Sequence, residues 1–303
     1  MIKLRSRRLE HIRHHDPRRS HQRIVYWDVC YEFPFDTTRA LELALFRTYC
    51  VPSISGLLDR SGEFRQRPQK RYDDTDLIVS TLMEWGYDSP RGAQALARMN
   101  HIHGHFKIPN EDFLYVLSTF VFEPIRWNAR FGWRPMCEQE KLALFYFWRE
   151  VGSRMGIRDI PQSYAAFERF NVEFERRHFV FAESNRRIGI ATRELFAGWF
   201  PAPLKPLVRR VIHALLDEPV RQAFGFPKPP PGLRSCVIGA LKLRALALRF
   251  WPARRKPRLR TQTAHPSYPR GYSLEQIGPP YLCPTGLCPA GLGPAGVHRN
   301  AHG

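Results

Sequence analysis

Long apolar runs are missing from this sequence. No stretch of eighteen apolar residues occurs in its 303, and the nearest approach, Val237 to Trp251, is interrupted by Lys242, Arg244 and Arg249. That argues against a membrane-spanning helix. The basic N-terminus has no apolar segment behind it, which argues against a secretory signal and for a cytoplasmic chain. Cysteine is scarce: six residues, too scattered for a disulfide framework. Cys30, Cys50, Cys137 and Cys236 stand alone in apolar surroundings, and Cys283 and Cys288 have no second pair to complete a zinc site. The reading is an intracellular, reduced protein. Strand-period alternation is nearly absent as well, which leaves helix as the main element.

Hydrophobic residues make up 43% and aromatics 13%, enough to bury a sizeable core. The net charge of +19 is concentrated at the ends. Residues 1–25 hold eight Lys/Arg against Glu10 and Asp16, and residues 251–303 hold seven against Glu275. Such ends suit peripheral contact with an anionic membrane surface, or nucleic acid. Of the 47 cations 39 are Arg, which a bias in Arg usage would also produce, and no nucleic-acid motif accompanies them. Nucleic acid is therefore disfavoured as a partner.

Residues 1–22 are rich in Arg and His with little periodicity and read as a flexible basic arm. Residues 23–250 read as one helical domain. Helices are expected over Thr38–Val51, from an Asp74 N-cap to Gly86, from Ser89 to about Phe106, from Asn110, over Glu138–Met155, over Ser163–Phe181 and over Leu204–Leu216. Gly56, Gly62 and Pro68 make Ser53–Arg71 read as loops. Residues 251–303 form a Pro/Gly-rich basic tail, with 251–280 able to pack on the domain and the last twenty unstructured. The fold class is all-α, a single-domain multi-helix bundle with flexible basic ends.

Three local features carry candidate chemistry. In RMNHIHGHF a strand would place His101, His103 and His105 on one face, as a metal cluster requires. The surrounding period is helical, and there His103 alone joins the buried stripe of Met99, Ile102 and Phe106. An interior histidine on an apolar helix is usually a hydrogen-bonded core residue; as a ligand, it suits haem better than zinc, which needs three or four protein ligands. In KRYDDT, Asp73 and Asp74 fit a helix N-terminus, but Arg71 gains nothing from the dipole there and needs another partner. In EPIRW, Glu123 and Arg126 read as a structural ion pair.

The stretch RMNHIHGHFKIPNEDFLYVLSTFVFEPIRWNARFGWRPM, followed by FYFWREVGSRMGIRDIP, closely resembles the haem-dependent oxygenase family of the fungal MpaB type and the bacterial rubber oxygenases (latex-clearing proteins). The resemblance extends upstream through YEFPFDTTRALELALFRTYCVPSIS and KRYDDT, and faintly downstream to YPRGYSLEQIGPP. It covers about residues 22 to 280. It implies an all-helical fold that encloses a b-type haem held by one proximal histidine in an R-x-x-x-x-H motif, here Arg98 to His103. It also implies a distal Arg-x-x-Lys-Thr motif. Arg71 and Thr75 match this motif, and Asp74 stands where the rubber oxygenases have lysine. That departure removes the lysine that could cover the iron and moves the chain toward the fungal branch, whose members are membrane-anchored.

By that resemblance His103 would be the iron ligand, and Arg98 and Arg71 would lie at the cofactor. Arg71, Thr75 and Asp74 would form the catalytic side. The implied reaction uses O2 as co-substrate to cleave a carbon–carbon double bond in a hydrophobic, isoprenoid-like small molecule or polymer. Two other readings stay open at this stage. One is a non-catalytic basic helical module for nucleic acid or an anionic membrane. The other is a non-haem site using His101, His103 and His105, which a helix cannot aim at one ion.

Overall fold

Proline opens many of the helices, because its fixed φ suits the first turn and its missing N–H costs nothing there. The computed structural model describes residues 2–283, with side chains from Arg7 onward. Its helices are α1 (Ile2–His14), α2 (Pro17–Trp27), α3 (Pro34–Thr48), α4 (Pro52–Ser61), α5 (Glu63–Gln66), α6 (Pro68–Trp85) and α7 (Pro90–Gly104). They continue as α8 (Asn110–Phe131), α9 (Glu138–Arg154), α10 (Tyr164–His178), α11 (Glu183–Gly198), α12 (Lys205–Leu215), α13 (Glu218–Ala223) and α14 (Leu233–Phe250). A single π-helical turn, Asp28–Glu32, joins α2 to α3. Among the described residues no strand forms, and no helix is long and apolar enough to cross a membrane. The fold is the expected all-α, single-domain bundle.

Two expectations are corrected. Pro52 and Pro68 open helices instead of breaking the chain, so Ser53–Arg71 is mostly helical. Asp74 therefore lies well inside α6 and caps nothing. The N-terminal segment is not a flexible arm over its described part. Asp16 caps α2 by accepting from the Arg18 amide at 2.9 Å, and α2 packs along α9. Ile12, Ile24 and Val25 are fully buried, and Arg8 reaches Glu32 at 2.7 Å. A few apolar residues among many cations suffice to bury one stripe, and the cations hide that stripe from a composition count.

The main core lies between α2, α6, α8, α9 and α10, around Leu77, Leu82, Val121, Phe145, Phe147 and Phe167. A second core joins α3 to α11–α13 through Phe46, Phe196 and Phe224. Arg47 of α3 ties the two together, donating to Glu175 of α10 at 2.7 Å and to Asp217 ahead of α13 at 2.5 Å. Glu123 and Arg126 pair at 2.8 Å on α8, and Arg126 continues to Asn171 of α10. Residues 258–283 form a strap over α6 and α7 that buries Tyr268, Leu274 and Ile277. Cys30 and Cys50 are buried free thiols, whereas Cys236, expected in apolar surroundings, is exposed. Cys288 and the last twenty residues, expected to be unstructured, lie outside the described residues.

Candidate functional site

The site is built on the α6–α7 hairpin. Ser89 caps α7 by accepting from the Gly92 amide at 3.0 Å. Gly92 has to be glycine, because a Cβ there would sit 1.8 Å from the Gly86 carbonyl oxygen. This close turn sets the end of α7 beside the start of α6. His103 lies in the last turn of α7, half-buried, with its ring edge-on to Phe113 of α8 at 5.3 Å. Its Nδ1 is buried and has no hydrogen-bond partner among the described residues.

Burial pushes the His103 pKa down to about 4, and the Arg71 guanidinium adds to the effect. The imidazole is thus neutral around pH 7. Arg71 sits in the first turn of α6 and donates to the Thr75 hydroxyl, while Thr75 Oγ1 donates to the Arg71 carbonyl at 3.0 Å. The Arg71 guanidinium also lies over the Phe64 ring at 5.8 Å. Arg71 is thus within electrostatic reach of His103, and Thr75 is bonded to Arg71. His101 and His105 are exposed and pack edge to edge at 4.8 Å. No group of three or more His, Cys, Asp or Glu able to hold a metal occurs among the described residues.

Asp74 and Arg98 are engaged elsewhere. The Asp74 carboxylate accepts from Lys70 Nζ at 2.8 Å, from the Tyr268 hydroxyl and from the Gly278 amide at 3.0 Å. Its pKa is raised, because burial outweighs the pull of Lys70. Lys70 also donates to the Gln276 and Gly278 carbonyls, at 3.3 and 2.8 Å. Arg98 donates to the Ile277 and Leu282 carbonyls, at 2.7 and 3.1 Å. Both side chains hold the strap, and the strap presses on α7 next to His103. A Cβ on Gly278, whose φ is +111°, would come within 2.7 Å of Ile102 Cδ1. Sequence reasoning passed over Lys70, although its i, i+4 spacing to Asp74 on a helix was the available signal.

Thr75 also lines a cavity of about 100 Å³ between α3, α6 and the strap, walled by Leu41, Leu45, Val79, Met83 and Phe120. Glu42 faces the same space. Burial raises its pKa to about 7, against the opposing pull of Arg39 and of the Tyr72 hydroxyl, which donates to it at 2.8 Å. Ligand pockets for drug-sized molecules run to roughly 300–1,000 Å³. A bulky occupant therefore needs side chains or the strap to move.

An all-helical bundle that carries an inward histidine and, on the neighbouring helix, an Arg–Thr pair admits several classes of protein. The comparisons with known proteins narrow the choice. Residues 42–250 match the model of the family described as ER-bound oxygenase mpaB/B'/Rubber oxygenase, catalytic domain. The chain is 28% identical over 238 residues to the ER-bound oxygenase mpaB' of Penicillium brevicompactum, covering 72% of this chain and 56% of the relative. It is 29% identical over 211 residues to the ER-bound oxygenase mpaB of Penicillium roqueforti, covering 63% of this chain and 70% of that protein. A third relative, the ER-bound oxygenase mpaB of Penicillium brevicompactum, is 36% identical over 133 residues, 42% of this chain and 34% of its own. The chain belongs to the MpaB/rubber oxygenase catalytic-domain family. It spans about half the length of the first of these relatives.

Proposed function

We propose that this oxygenase-family chain binds haem b through His103 and uses O2 to cleave a carbon–carbon double bond in a hydrophobic, isoprenoid-like small molecule or polymer. The observation that carries the reading is the buried, unpartnered Nδ1 of a neutral His103 within electrostatic reach of Arg71. A buried imidazole nitrogen without a partner is costly unless something else satisfies the ring. An apolar wall, one nitrogen ligand and a nearby guanidinium for a propionate are what a haem requires of a protein. The residue types fit the group; the cavity that Thr75 lines does not reach His103 or Arg71, so a haem would need space opened beside His103.

Bound haem would supply the activation of dioxygen. His103 would hold the iron, with Phe113 fixing the plane of its ring. Arg71 would pair with a propionate or with negative charge developing on oxygen, and its bond to Thr75 holds the guanidinium in place for either. Phe64, under Arg71, and Phe113, against His103, would keep water from these two groups. Arg98 and Asp74 take no direct part in this reading. They fix the strap that presses on Ile102 and so set the position of the His103 backbone.

Oxygen consumption with a panel of polyprenyl and unsaturated lipid substrates, alongside haem quantitation, tests the assignment of roles. Arg71→Ala is expected to keep its haem and to lose turnover by about 10²-fold or more, the scale for removing a donor to developing charge. Thr75→Val loses less, since one neutral hydrogen bond is worth about 1 kcal/mol. Full turnover in Arg71→Ala with normal haem would make Arg71 an ordinary packing and ion-pair residue.

A further inference from the structure

Among the described residues, only one face of α14 is held by the rest of the protein. Ile238 and Leu241 pack on Ala40, Trp127 and Phe131, and Arg244 reaches Asp36 at 2.9 Å across the Phe35 ring. Arg234 and Arg249 donate to the Leu216 and Trp133 carbonyls, each at 3.0 Å. At about 100° per residue, the opposite face holds Cys236, Ala240, Leu243, Leu246, Ala247 and Phe250 within an arc of roughly 120°. All six are exposed. Leu243 is 67% exposed, Phe250 77%, and Trp251, just past the helix end, 67%. No polar side chain falls in the arc. Lys242 and Arg249 run along one edge and Arg244 along the other.

Charge decides what fits this face. From Leu233 to Arg258 there are eight Lys/Arg and no Asp/Glu. A second copy of the chain would set the same cations against each other. Residues 284–303 carry Arg299 and no acid, so they offer no complement. A polyanion alone would match the cations and leave the apolar arc in water. An anionic bilayer surface satisfies both, with acyl boundary for the arc and headgroups for the flanking cations. Tryptophan at the end of the arc suits the same depth.

We propose that α14 and the Trp251–Arg258 segment form an interfacial docking element for anionic lipid. The helix lies in the membrane plane, with Leu243, Leu246, Phe250 and Trp251 at the headgroup–acyl boundary. Lys242, Arg249, Arg254, Arg255 and Lys256 sit over lipid phosphates and carboxylates. This assignment does not depend on the haem reading. It also narrows membrane contact to one helix and the first residues of the C-terminal basic segment, and leaves the N-terminal basic segment out of it.

Vesicle flotation of the full chain tests the proposal. Binding is expected to phosphatidylcholine vesicles carrying about 30% phosphatidylserine at about 0.1 M salt, and to be weak on phosphatidylcholine alone. Leu243→Glu/Phe250→Glu is expected to lower the partition coefficient by about tenfold or more. Replacing Arg254, Arg255 and Lys256 by Gln is expected to lower it by about 100-fold, at roughly fivefold per cation lost. The milder Leu243→Ser/Phe250→Ser, with circular dichroism of each variant, separates lost docking from lost fold. Parental binding by a folded arc variant would overturn the proposal. So would a lipid-free dimer that Leu243→Ser disperses, or binding of duplex DNA with none to anionic vesicles.

Discussion

His103 and His213 show how much a histidine's neighbours decide. Both are pushed down to about 4 by burial, with arginines adding to the effect, Arg71 for the first and Arg193 and Arg221 for the second. His213 is accounted for within the fold: it stacks on Phe226 at 4.6 Å and lies 3.3 Å from an Arg193 Nη. His103 has a ring contact but an orphaned nitrogen, and the haem proposal rests on that difference. The His213 shift has a sign that can be measured. The unfolded chain takes up this proton below about pH 6.5 and the folded chain resists until about pH 4, so stability falls as pH drops through that window. His213→Gln is expected to lose less melting temperature than the parent between about pH 7.5 and about pH 5. Equal losses would contradict the assignment. The inward turn of His103 was legible in the sequence, because helical period separates it from His101 and His105. The partners of Asp74 and Arg98 were not. Tyr268 and Gly278 lie about two hundred residues away in sequence, beyond any local pattern.

At the scale of elements, the α6–α7 hairpin and the strap behave as one unit. Lys70 is buried and donates to Asp74, Tyr268 and two strap carbonyls. Lys70→Met leaves the Asp74 charge buried and unpaired, and is expected to cost about 3–5 kcal/mol of unfolding free energy in denaturant titration. Adding Asp74→Leu is expected to recover much of that loss, so the double variant falls well short of the sum of the singles. Additive losses would mean that the pair does not act as a unit. Gly278→Ala forces a Cβ against Ile102 and is expected to cost about 1–3 kcal/mol. The sequence marked α7, α8 and α9 well, since their apolar stripes repeat at helical period. It hid α4 and the start of α6, because a proline at a first turn and a proline in a loop look alike until the partner helices are known.

The whole molecule closes at its ends. Ile12, Ile24 and Val25 put the N-terminal helices into the main core, and the strap closes over the opposite hairpin. Ile12→Ala is expected to cost about 2–5 kcal/mol, and removal of residues 1–15 to lower the melting temperature. A truncated protein as stable as the parent would mean that the arm is an appendage after all. The all-α class and the family were legible because core period and motif spacing survive any choice of surface residue. The packing of the basic ends was not, because three buried residues among many cations do not alter the composition.

The central claim is that His103 holds a haem. The absorption spectrum of the purified protein, with and without dithionite, reads it directly. The account predicts a strong band near ~400 nm that shifts on reduction, the signature of the cofactor. The band should be lost in a folded His103→Ala and retained in His101→Ala and His105→Ala. A colourless parent protein, or a band that survives His103→Ala and disappears with His101→Ala, would contradict it.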